Sequence, residues 1–295
     1  VNEVIYNMHY MNNIILTLII TFTKLISFLP RTLFTRNSLM WRILGNSMKK
    51  RRRIVEANIN HCFKSQSNEW RSDLVNKIWE ETHLALYENN FAWNADKRIK
   101  KIKTSFENSE LLQHAQENRQ GVLLLFRHNI FLELSARLIS EKFEIYGMER
   151  PNNSPLVQKL QQRGRLKGMK GLIPNSNVKD CIELLKKGKT ILYGPDQDYR
   201  NKSSVVSTFF DQKCLTTTAP FRIKQITDCK FIYVDSVRQG DNYKFVLEDV
   251  SHFAESGQTF ADKINSKIEK GILEAPEQYL WHHRRFKSQN PEIYD

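Results

Sequence analysis

From about residue 107 the chain alternates short apolar runs with longer stretches of helical periodicity. FENSELLQHAQEN, residues 106–118, carries the helical pattern. GVLLLF, 121–126, is a continuous apolar run opened by Gly121, which suits a strand buried on both faces. The pattern then predicts a helix over 131–142, a strand over 143–148 and a helix over 154–169. A short strand follows at GLIP, 171–174, then a helix over 178–189 that ends at Gly188, and a buried strand at TILYG, 190–194. TTTAPFRIKQITD, 216–228, reads as a helix capped by threonines. KFIYVDSVRQ and YKFVLEDV alternate with period two around Gly240 and Asp241, a hairpin signal, and a last helix covers 258–275. Strands alternating with helices imply an α/β architecture, a mixed sheet with helices on its faces.

The first third differs. Residues 31–98 have a polar-faced helical pattern, with Trp41, Trp70, Trp79 and Trp93 as packing anchors. NKIWEETHLALYENNFAWN is best accounted for as a core-packing helix. Before it, Met8–Leu29 is apolar from Ile14 onward, broken by Thr, Ser and Lys24. About 20 residues span a bilayer, so this segment suffices if Lys24 snorkels to an interface. A buried amphipathic helix would show a similar pattern. Arg31, Arg36, Arg42 and KKRRR at 49–53 follow it, however, and positive charge on that side marks it as cytoplasmic. The expected organisation is an anchor helix over 1–30, spanning or lying in the interface, and a domain on the cytoplasmic face over 31–295.

Charge and cysteines sharpen the picture slightly. The formal net charge of +13 over 295 residues favours acidic partners: anionic lipid, an acidic protein or nucleic acid. KKRRR alone would fit nucleic acid, but no nucleic-acid module accompanies it, so none is expected as a partner. Cys62, Cys181, Cys214 and Cys229 are scattered, without C-x-x-C spacing, and read as reduced packing residues.

Candidate chemistry lies at strand ends, where ligands gather in open α/β sheets. RHNIFLE follows GVLLLF, and GPDQDYR follows TILYG. On one continuous helix His128 and Glu133 would lie about 140° apart and could not touch. They meet only if His128 stays in the strand-to-helix turn while Glu133 enters the first helical turn. Glu133 would then fix the imidazole tautomer and leave the other nitrogen to accept a proton from a hydroxyl. Arg165 and the backbone amides near Phe131 are candidate oxyanion donors, and Ile130, Phe131 and Leu132 candidate walls of an apolar pocket. Asp196 and Asp198 could be a metal pair. They read better as caps that orient arginines, since no histidine or third carboxylate is close in sequence, and no metal is expected.

GVLLLFRHNIFLELSARLI, ERPNNSPL, GRL, YGPDQDY and the closing APEQYLWHHRRFK together resemble the late acyltransferases of lipid A biosynthesis, the lauroyl/myristoyl transferases of Gram-negative inner membranes. The His-x-x-x-x-carboxylate motif is shared with the wider glycerolipid acyltransferases, whose fold the resemblance implies. It also implies transfer of an acyl chain from acyl carrier protein to a hydroxyacyl chain of a lipid A precursor, without a cofactor. In that light His128 is the general base, Glu133 its partner and Arg165 an active-site arginine. Arg150, Asp196, Asp198, Arg284 and Arg285 become substrate-positioning residues, and anionic membrane lipid a partner. The chain departs from the family at Arg200, where a glycine usually follows PDQDY, and in the stretch after it. Other readings are another glycolipid or glycerolipid acceptor, or a non-catalytic, membrane-tethered basic binding protein.

Overall fold

The computed structural model describes residues 2–35, 48–200 and 202–295; the expected Trp41 anchor lies outside them. The first helix, α1, covers Asn2–Ile26. Two long helices follow, α2 (Lys49–Cys62) and α3 (Asn68–Asn94), with Ser67 capping α3 by accepting from the Trp70 amide. The sheet then begins with β1 (Lys103–Glu107), α4 (Glu110–Glu117), β2 (Val122–Phe126) and α5 (Leu132–Lys142). Next come β3 (Tyr146–Glu149), α6 (Pro155–Arg165), β4 (Gly171–Pro174), α7 (Val178–Lys186) and β5 (Thr190–Tyr193). A separate hairpin, β6 (Ser204–Phe209) with β7 (Gln212–Thr217), precedes α8 (Ala219–Thr227), β8 (Lys230–Gln239), β9 (Asn242–Asp249) and α9 (Gly257–Glu274).

The main sheet runs β1-β9-β8-β2-β5-β3-β4. From β8 to β4 all neighbours are parallel; β9 turns back against β8, and β1 runs with β9. This is the expected mixed sheet, and the two-residue side-chain period explains its layers. Leu123 and Leu125 face a core closed by α2, α3, α7, α8 and α9, through residues such as Ile59, Ile78, Leu185, Ile223 and Phe260. Val122 and Leu124 face the opposite core, with Leu112, Leu134, Leu138 and Ala92. A strand buried on both faces must be apolar throughout, as GVLLLF is.

Three expectations change. The helix proposed over 106–118 starts at Glu110, because Phe106 belongs to edge strand β1, stacked on Phe245 of β9 at 4.7 Å; Asn108, at φ 55°, breaks strand from helix. Thr216 and Thr217 are strand rather than helix cap. They pair with Val205 and Ser204, and the turn between β6 and β7 places Phe210 and Asp211 at φ 50° and 59°. Two left-handed turn residues fit a tight hairpin, but Phe-Asp carries none of the usual Gly signal.

The third change concerns α1. No helix of the described residues is long and apolar enough to cross a membrane. One side of α1 docks on the protein: Asn90 of α3 donates to the Thr23 carbonyl at 2.9 Å, and Arg98 donates to the carbonyl and hydroxyl of Ser27. Leu18, Phe22 and Leu25, at helical spacing, point outward and are more than 60% exposed. Thr17, Thr21 and Lys24 interrupt the apolar run and are exposed on the same side as Leu18, Phe22 and Leu25.

Trp281 closes the larger core. It meets Tyr279 edge-on at 4.9 Å and lies close to Phe63 and Phe210, while its indole donates to the Pro276 carbonyl at 2.8 Å. Trp281→Ala is expected to cost about 3–5 kcal/mol of stability. Urea denaturation followed by circular dichroism measures it, and an unchanged midpoint would contradict this account of the packing.

Candidate active site

β2 and β5 are parallel neighbours, with Leu124 opposite Leu192. Their carboxyl ends therefore deliver His128 and Asp196 to the same place. Asp196 Oδ1 lies 2.5 Å from His128 Nδ1, and Oδ2 accepts the His128 backbone amide at 2.9 Å. One carboxylate thus fixes both the main chain and the ring of the histidine. With Nδ1 occupied, Nε2 is the nitrogen left for chemistry. Asp196 is 1% exposed. Burial alone would raise its pKa, but the charge of His128 and two hydrogen bonds from His128 outweigh that and depress it from 3.8 to about 2.

Gly194 makes this approach possible. A Cβ there would sit 2.3 Å from His128 Cε1 and 2.9 Å from the Phe126 ring. Residues 128–130 are held from the other side by the C-terminal segment. Ile130 donates to the Gln278 carbonyl at 2.9 Å, Leu280 donates to the His128 carbonyl at 3.0 Å, and Asn129 pairs antiparallel with Tyr279.

The expected contact of His128 with Glu133 is not formed. His128 does remain in the turn and Glu133 does enter the first turn of α5. The clamp on 128–130, however, turns the loop so that Glu133 faces α3 and α6. Its Oε1 accepts from Arg165 at 2.6 Å and its Oε2 from the Trp93 indole at 2.9 Å. Burial pushes the Glu133 carboxyl up, but Arg165, Trp93 and Gln161 outweigh it and hold it below its ordinary value. Arg165 also bonds Glu149 at 2.7 Å. Arg165 thus shares its guanidinium between two carboxylates while lining the same cavity as His128. Gly164 lets α6 reach Trp93, since a Cβ there would fall 2.2 Å from the indole ring.

The remaining candidates separate. Asp198 accepts the Ser288 amide at 2.8 Å and donates its own amide to His283 Nε2 at 3.0 Å, tying the PDQDY loop to the HHRRFK segment. Burial lowers His283 to about 4, which keeps that nitrogen an acceptor. Arg285, expected at a substrate, is 2% exposed; it bonds Thr216 at 2.8 Å and Asn265 at 3.2 Å inside the fold. Arg284 lies over the Tyr294 ring, 5.5 Å from its centroid, and is not among the residues lining the cavity at His128. Arg150 is exposed and lines the cavity beside His128.

That cavity encloses about 480 Å³. His128, Glu133, Arg165 and Tyr199 stand on its polar side, and Ala136, Met169, Leu172 and Leu192 on its apolar side. Ile130 and Leu132 line it as expected. Phe131 does not; it is buried behind the wall against Tyr243. Among the described residues no group of three or more His, Cys, Asp or Glu is placed to hold a metal ion. Sequence reasoning missed Asp196 as the partner of His128, although both motifs were expected on one sheet edge. Gln161 and Glu149 gave no sequence signal, and Trp93 was expected only as a packing anchor.

A histidine oriented by a carboxylate above an apolar cavity suits acyl transfer, and comparison with known proteins agrees. The family model for bacterial lipid A biosynthesis acyltransferases matches residues 6–288. The chain belongs to this family. The acyltransferase is 34% identical to the lipid A biosynthesis lauroyltransferase of Escherichia coli K12, over 82% of this chain and 80% of that protein. It is 32% identical to the palmitoleoyltransferase of the same organism, over 82% and 80%. A lipid A biosynthesis acyltransferase of Haemophilus influenzae is 30% identical over 84% and 82%.

Two predictions follow from the geometry around His128. A carboxyl depressed by folding stabilises the fold fully above its unfolded value, and the contribution is lost as pH falls. For Asp196 the window runs from 3.8 down through about 2. In Asp196→Asn this part of the acid unfolding curve should flatten, and an acid limb identical to the parent's would refute the assignment. Gly194→Ala should displace the ring and reduce acyl transfer at least tenfold while the fold persists by circular dichroism, because the added methyl has nowhere else to go.

Proposed function

We propose that this acyltransferase performs a late, secondary acylation of lipid A biosynthesis. It moves a fatty acyl chain from acyl carrier protein to the hydroxyl of a hydroxyacyl chain on a lipid A precursor. The observation that carries the mechanism is the His128–Asp196 pair at the cavity. His128 Nε2 takes the proton of the attacking hydroxyl, and Asp196 orients the ring and stabilises the imidazolium that results. A hydroxyl is a poor nucleophile at neutral pH, so removal of its proton during attack is where a base is most useful. The hydroxyl oxygen adds to the thioester carbonyl, and the tetrahedral adduct re-forms the carbonyl as the C–S bond breaks; the carrier thiolate takes the proton back from the His128 imidazolium, and no covalent enzyme intermediate is needed.

The apolar side of the cavity suits the acyl chain and Arg150 the polar donor or acceptor. Glu133 and Arg165 act in this reading as the wall that shapes the cavity, held by Trp93 and Glu149. The exposed cations Lys49, Lys50, Arg51 and Arg53 suit an acidic carrier protein or anionic lipid. The apolar face of α1 supports a helix lying in the membrane interface, at the cytoplasmic leaflet of the inner membrane, where an acyl carrier protein has access.

The test uses membranes carrying the protein, acyl-ACP and a tetra-acylated precursor, with mass spectrometry reading a gain of one acyl group. His128→Ala should lower the rate by roughly 10²- to 10⁴-fold, and Asp196→Asn by roughly 10²-fold. If His128→Ala transfers as well as the parent, the mechanism is wrong. If the parent acylates only a glycerolipid, the acceptor is wrong.

A further inference from the structure

A second cavity, of about 360 Å³, lies apart from the histidine. The start of α5 and the second half of α3 form the partition. Leu132, Glu133 and Asn89 face the first cavity, while Leu134, Glu88 and Phe91 face the second. Lys103 opens β1 and pairs with Asn242, which itself faces Gln239 at the carboxyl end of β8. Since β8 runs parallel to β2, both cavities open on the same edge of the sheet.

The walls of the second cavity are Tyr87, Phe91, Ile102, Leu134 and Tyr243, all with apolar bodies. Its polar groups divide into an ion-paired set and a spare one. Arg31 pairs with Glu88 at 3.2 Å and with Asp241, and Glu88 also takes Arg238 at 2.7 Å and the Tyr243 hydroxyl at 2.6 Å. Lys101 and Lys103 sit exposed at the mouth, and among the described residues neither enters an ion pair. The cavity therefore offers an apolar interior beneath two uncommitted positive charges.

Its surroundings indicate where an occupant would come from. Tyr87 donates to the Leu29 carbonyl at 2.9 Å, and the Arg98 guanidinium lies 3.8 Å from the Phe28 ring and 5.2 Å from that of Phe91. The cavity wall is thus continuous with the segment that exposes Phe28, Leu29 and Leu33, and through it with the outward face of α1. A soluble phosphate compound would gain nothing from that apolar margin, whereas a lipid would gain at every point of it. We propose that this cavity binds one anionic phospholipid of the bilayer, its phosphate at Lys101 and Lys103 and part of an acyl chain between Phe91, Ile102 and Leu134. The site goes beyond the acyltransfer reading, because the occupant is neither donor nor acceptor. It would hold the protein on the membrane at a fixed orientation.

The experiment titrates the purified full-length chain in neutral detergent with phosphatidylglycerol or phosphatidylcholine, without donor or acceptor, and counts retained lipid by native mass spectrometry. One phosphatidylglycerol should be retained in preference to phosphatidylcholine by roughly tenfold or more. Lys101→Glu/Lys103→Glu, at exposed positions that leave the fold intact, should abolish the preference. Ile102→Trp should fill the cavity and remove the retained lipid, while Phe22→Glu on the outer face of α1 should leave it. Equal retention of the two lipids, or retention indifferent to the lysine pair, overturns the proposal. In a separate titration with the tetra-acylated precursor alone, retention of the precursor by a protein that does not retain phosphatidylglycerol also overturns it, placing the cavity in the acceptor site. Because no acyl transfer is measured, failure here leaves the role of His128 untouched.

Discussion

The Asp196 carboxylate holds the site together by binding two atoms of one residue. Its oxygens take the His128 amide and the His128 ring, so the main chain leaving β2 and the orientation of the imidazole are set by a single group at the end of β5. Each part of the sheet contributes to that contact. Parallel pairing of β2 with β5 sets the strand ends level, Gly194 removes the one side chain that would block the ring, and Gln278 to Leu280 press the loop back from outside. Burial alone would push the carboxyl up; these partners outweigh it and hold it low.

The second buried cluster has a different task. Arg165 stands between Glu133 and Glu149, with Trp93 and three glutamines, Gln158, Gln161 and Gln162, completing the shell. A guanidinium bonded to two carboxylates in a fixed fork holds α3, α5 and α6 at set distances, which fixes the cavity between them. Two carboxylates thus divide the labour: Asp196 orients the His128 ring, and Glu133 shapes the cavity beside it.

The layers of the fold were legible because burial on two faces leaves an unmistakable letter pattern. GVLLLF, TILYG and the alternation of β8 and β9 have one structural solution each. β1 and the β6–β7 hairpin were not legible: an edge strand is half solvated, and a turn of Phe210 and Asp211 lacks the glycine that usually marks such geometry. At the site, the two motifs were expected on one edge and are found there. The pairing within that edge was not deducible. Whether His128 meets Glu133 or Asp196 depends on a loop direction set by residues 150 positions downstream. Arg285 shows the same limit, since HHRRFK looks like a solvated basic end until Asn265 and Thr216 are seen around it.

The position of that clamp along the chain gives the site a history. His128 is synthesised long before Gln278 and Leu280, at ribosomal speeds roughly 8 to 30 s earlier. Until the last segment emerges, the loop after β2 lacks its outer support, and Trp281 has not yet sealed the core beneath it. His128 therefore acquires its full support only after Gln278 and Leu280 have been made, although its own strand ends some 150 residues earlier. A nascent chain already lying on lipid would carry an unassembled site until Gln278 to Trp281 had left the ribosome.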